Sequence, residues 1–71
     1  MDKYRVRLAS PPDRAKLVAE VFFDDMQWAE ISQEHNTLEV EFYPRPDGHP
    51  WKLDLAVAVD ALGNAERKLR E

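Results

Sequence analysis

The segment from Thr37 to Trp51 limits the fold more than any other part of the chain. Thr37-Leu38-Glu39-Val40-Glu41-Phe42-Tyr43 alternates polar and apolar residues, the pattern of a strand with one buried face. Pro44-Arg45-Pro46-Asp47-Gly48-His49-Pro50-Trp51 follows, with three of the five prolines and one of the two glycines, so strand pairing stops there in a stiff turn. Beyond it the apolar period lengthens. Leu55, Ala58, Val59, Leu62, Ala65 and Leu69 recur every three or four residues, one stripe of an amphipathic helix. Asp54 supplies an N-cap, and Arg67, Lys68 and Arg70 sit where the helix dipole favours cations. Gly63 interrupts the stripe and is explained either by close approach to a sheet or by simple tolerance.

Upstream, Tyr4, Val6 and Leu8 alternate with Lys3, Arg5 and Arg7, which predicts a first strand over residues 3–9 with one basic face. Ser10-Pro11-Pro12-Asp13 ends it. Residues 16–23 are apolar at nearly every position and fit either a fully buried strand or a short core helix. Their Val and Phe content favours strand. After a turn at Asp24-Asp25-Met26, residues 27–33 form a third strand, and Glu34-His35-Asn36 turns the chain into the fourth. Short connections favour pairing between neighbours. The expected fold is one α+β domain spanning residues 1–71, an antiparallel four-stranded meander (β-β-β-β-α) with the C-terminal helix packed on one face. At 71 residues the core is small. Four strands span roughly 15–20 Å and a helix is about 10–12 Å across, so part of the apolar face stays bare. The reading assigns that bare part to Tyr4, Val6 and Leu8 of the first strand and expects a homodimer or a partner to cover it.

Ten Lys and Arg against fourteen Asp and Glu give a net charge of −4, which argues against nucleic acid and suits a soluble protein or one with a basic partner. Cysteine is absent, so neither disulfides nor thiolate metal sites support the fold, as fits a cytoplasmic protein. No membrane association is expected, since no apolar run approaches about 20 residues and the N-terminus does not read as a signal peptide. His35 and His49 lie in separate loops without metal-ligand spacing, and the two glycines stand too far apart to cradle a phosphate, so no metal or cofactor is expected. Glu20, Glu30, Glu39 and Glu41 are carboxylates of the kind that form an acid–base pair, but a flat sheet offers them no deep apolar pocket, and the chain reads as a non-enzyme.

Strict alternation puts Arg5, Arg7, Glu20, Phe22, Trp28, Glu30, Glu39, Glu41 and Tyr43 on the sheet face away from the helix. Aromatic and charged residues together suit protein recognition, and the competing reading is a solvated face with cross-strand Glu–Arg pairs. Trp28, Glu30, Glu41, Tyr43 and Arg45 are the candidate binding residues. Within the turn, Trp51 is expected to plug the open end of the core, while a functional reading has Tyr43, Arg45 and His49 projecting as a rigid binding loop.

Three passages carry a resemblance: Gln27-Trp28-Ala29-Glu30-Ile31, Phe42 through Trp51, and Ala61-Leu62-Gly63-Asn64-Ala65. Over roughly Val18 to Leu69 the chain resembles a set of small bacterial proteins with a Trp-Ala-Glu-Ile strand, a Tyr-Pro-x-x-x-Gly-x-Pro-Trp turn and a C-terminal helix. The resemblance implies a shared fold and brings no activity. The function class that emerges is a non-enzymatic protein-interaction module using the sheet face opposite the helix. The alternatives are a self-associating structural domain and, by analogy of size and charge, an immunity-type partner of a bacterial toxin.

Overall fold

A computed structural model describes residues 3–71. Four strands, β1 (Tyr4–Ala9), β2 (Val18–Phe23), β3 (Met26–Ser32) and β4 (Glu39–Phe42), form one antiparallel sheet in the order β1-β2-β3-β4, followed by helix α1 (Leu55–Arg70). This is the α+β meander that the periodicities predict. Residues 18–23, open between strand and helix on sequence, are a strand, and β-branched and aromatic side chains fit its central place in the sheet. The β2–β3 hairpin closes through Asp24 and Asp25, with Asp24 at φ 55°, and the β3–β4 loop uses Asn36 at φ 64°, conformations that Asp and Asn tolerate.

One irregularity changes which side chains face which way. Val21 pairs with Ala29 but Phe22 pairs with Gln27, so Trp28 is an extra residue, a β-bulge in β3. The bulge turns Trp28 to the helix side. There it is 6% exposed and meets Phe23 edge-on at 5.2 Å between ring centroids. The expected outward position of Trp28 is therefore corrected: strict alternation fails by one residue at this point.

Helix α1 starts at the expected cap. The Asp54 carboxylate accepts hydrogen bonds from the backbone N–H groups of Ala56 (2.9 Å) and Val57 (3.3 Å). Its buried side chains Ala61, Ala65 and Leu69 meet Ala19, Val21, Phe23, Trp28, Ala29 and Ile31 of the sheet. The helix lies over β1 and β2. Tyr4 and Val6 pack against the core, and the Tyr4 hydroxyl donates to Asp60 and accepts from Asn64 on the helix. The bare part of the apolar face is thus not chiefly on β1, where only Leu8 is largely exposed, but at the opposite edge. Val40 and Phe42 of β4 are 45% and 55% exposed. Gly63 needs no close approach to the sheet, because a Cβ added there meets only the end of the Arg67 side chain, at 3.6 Å.

Candidate functional site

The outer face of the sheet holds most of the residues singled out from sequence, and its groups are engaged with one another. Glu30 lies opposite Glu20 on β2 and Glu41 on β4, three carboxylates in a row across the sheet. Such a row needs cations and donors. Arg7 donates from Nε (2.9 Å) and Nη2 (2.6 Å) to Glu20. Arg14 comes from the β1–β2 connection, places Nη2 at 3.0 Å from Glu30 and lies 3.9 Å from Glu41. The Tyr43 hydroxyl donates to the other Glu30 oxygen at 3.1 Å. Glu30 is buried by these two partners, which satisfy both of its oxygens. Burial, and then the bond to Glu30, pushes the Tyr43 phenol up to about 12. Phe22 is capped by two guanidinium groups, Arg5 at 4.5 Å and Arg7 at 5.4 Å from its ring.

The structure therefore brings Glu30, Glu41 and Tyr43 together, as alternation implies, and adds Arg14, which sequence reasoning missed. Its loop position showed no periodicity, and only the excess of carboxylates on that face hinted that a cation was required. Trp28 does not join them. Arg45 does not project either: it donates to Asp47 at 2.9 Å and lies 5.3 Å over the ring of Trp51. The Asp47 carboxyl is held below the usual range chiefly by the backbone N–H of His49. Trp51 packs partly buried against the core beside Phe23, and its indole N–H donates to the Tyr43 carbonyl at 2.9 Å. Gly48, at φ 81°, supplies the left-handed corner of the turn. The turn is a plug for the core, and Tyr43 and Arg45 are directed into it and into the outer-face network.

The helix side differs in kind. An open groove of about 520 Å³ runs between β4 and α1, lined chiefly by Ile31, Leu38, Val40, Val59, Leu62 and Gly63, with Glu39, Glu66 and Arg70 at its rim. Phe42 lies two residues beyond Val40 on the same strand face, and Leu55 one turn before Val59 on the helix. Leu55 is 77% and Val59 62% exposed. The cause is lateral: α1 covers β1 and β2, and among the described residues nothing covers β4, whose four residues are all exposed. Among the described residues, no three His, Asp or Glu side chains converge as a metal site, and no helix is long and apolar enough to cross a membrane. No family model, curated protein or solved structure matches the chain.

Proposed function

We propose that the protein is a non-enzymatic interaction module that docks another protein at the edge formed by β4 and α1. The observation that carries this reading is the uncovered apolar strip of Val40, Phe42, Leu55 and Val59, side chains whose burial elsewhere in this fold makes the core. Large apolar side chains gathered on one surface mark interaction sites more often than scattered ones do. The outer face, favoured on sequence, is the weaker choice. Arg7 and Arg14 already serve Glu20 and Glu30, Arg5 caps Phe22, and the tryptophan belongs to the core. A standard interface takes about 800 Å² from each partner. That is roughly a sixth of the 4987 Å² surface, so one edge of the molecule suffices. The net charge of −4 supports a basic partner, and neutralising a bacterial toxin is one role of that kind. Self-association through the same strip is the second reading.

The test is capture from a lysate of the source cell by immobilised wild type and by Val59→Lys, a substitution on an exposed helix position that spares the core. A protein retained by wild type and lost with the variant supports the docking edge. Equal retention by both moves the interface elsewhere. A doubled mass at high concentration that returns to monomer in the variant favours self-association.

A further inference from the structure

The β4 edge offers three kinds of complementarity at once, and together they define the chemistry of what binds. The first is backbone. Tyr43 N–H donates to the Trp28 carbonyl across the β3–β4 ladder at 2.9 Å. In an antiparallel strand, alternate residues turn their N–H and C=O groups to opposite sides. The groups of Glu39 and Glu41 therefore also face β3, and those of Val40 and Phe42 face the open edge. No proline or bulge interrupts β4 to block an added strand. The second is apolar: Val40 and Phe42 sit on the helix side, next to the groove under Val59. The third is charge. Glu39 and Glu41 stand on the outer side. Arg14, 3.9 Å from Glu41, is bonded more closely to Glu30, and Glu39 forms no ion pair among the described residues.

We propose that the β4 edge binds an extended segment of a partner protein in which apolar residues alternate with lysine or arginine, added as a fifth antiparallel strand. The apolar residues of that segment face the groove, and its cations lie beside Glu39 and Glu41. This rests on the docking reading above and names its occupant. A second copy of the chain fits the same edge less well. Antiparallel β4–β4 pairing that keeps the apolar residues on one face sets Glu41 against Glu41 when centred there, and Glu39 against Glu41 when centred on Val40. Like charges directly opposite are unfavourable. Pairing β4 with the β1 of another copy satisfies charge, since β1 itself alternates apolar residues with Arg5 and Arg7. It is a head-to-tail contact, which either closes into a ring of several copies or leaves a free edge at each end and grows.

The probe is the capped peptide Val-Lys-Val-Arg-Val-Lys-Val, titrated into the ¹⁵N-labelled full chain, beside the same peptide with glutamine at its three basic positions. The expected result is saturable shifts of the Val40 and Phe42 amides, with the glutamine peptide binding about tenfold more weakly. The double variant Glu39→Lys/Glu41→Lys should weaken the basic peptide by a similar factor. Val40→Pro removes an outward N–H without touching the β3 ladder and should abolish the shift at Phe42, with the β1 and β2 amides unchanged as proof of folding. Equal binding of both peptides overturns the charge assignment while leaving β4 a docking edge. Shifts of Val40 and Phe42 that depend on protein concentration alone make a second copy the occupant and overturn the proposal. No shift at β4 with either peptide overturns strand addition, and the Val59→Lys capture experiment then decides separately whether the groove docks anything.

Discussion

At the scale of single residues, Tyr43 links the outer-face network to the turn, and its ionisation provides a direct test. The phenol is raised from 10.0 to about 12, so the fold favours the neutral form. The associated stability is fully present below pH 10 and is lost as pH rises from there towards 12. The denaturant midpoint of wild type should fall over that interval more steeply than that of Tyr43→Phe, and absorbance at 295 nm should show one fewer late-titrating phenol in the variant. Tyr4, raised chiefly by its bond to Asp60, stays in both proteins and provides the internal comparison. Gly63 offers a second test. It lies inside a helix, and a Cβ there meets no backbone. Gly63→Ala should stabilise by about 1 kcal/mol in urea unfolding, because the glycine has only its propensity cost to lose. The Asp54 cap, the asparagine in the β3–β4 loop and the glycine corner at Gly48 were legible from residue type alone, since each answers a local backbone demand.

At the scale of elements, the bulge in β3 decides what the sheet shows to solvent. Trp28 is packed between Phe23 at 5.2 Å and Phe42 at 5.3 Å. Trp28→Ala should cost about 3–5 kcal/mol in chemical denaturation. A chain of this length has a total stability of order 5 kcal/mol, so that variant should be largely unfolded. Phe42→Ala, on an exposed edge, should cost much less and leave the urea transition nearly in place. The strands themselves were legible because period two spans each of them. The side of Trp28 was not, because a bulge shifts that parity by one residue and Gln27-Trp28-Ala29 contains no glycine or proline to announce it. The position of α1 was equally hidden. Its apolar stripe shows that it packs, but nothing in a stripe selects β1 and β2 over β3 and β4. The Glu30 cluster was half legible: alternation places Glu30, Glu41 and Tyr43 together, whereas Arg14 arrives through a loop whose path no periodicity encodes.

At the scale of the whole molecule, the sheet has a buried centre, β2 and β3, and an open edge at β4. Hydrogen exchange should follow that division. The amides of Ala19 and Val21, in the fully buried centre of β2, should approach global protection, while those of Val40 and Phe42 should exchange orders of magnitude faster. The two connections at the far end of the sheet are tied together by Glu34, whose carboxylate accepts the backbone N–H groups of Ala15 and Lys16, each at 3.1 Å. The Ala15 bond is the main cause holding its pKa below the usual value. That contribution is present above the unfolded value near 4.5 and is lost as pH falls through the folded one. Acid unfolding of Glu34→Gln should therefore be less steep than that of wild type below about pH 5. The bulge has one more consequence. By turning Trp28 inward against Phe42, it sets an indole directly behind the exposed edge, so the protein carries its own optical reporter. With Trp51 replaced by Phe to silence the second indole, its emission registers any molecule that dries or displaces Phe42, without a label.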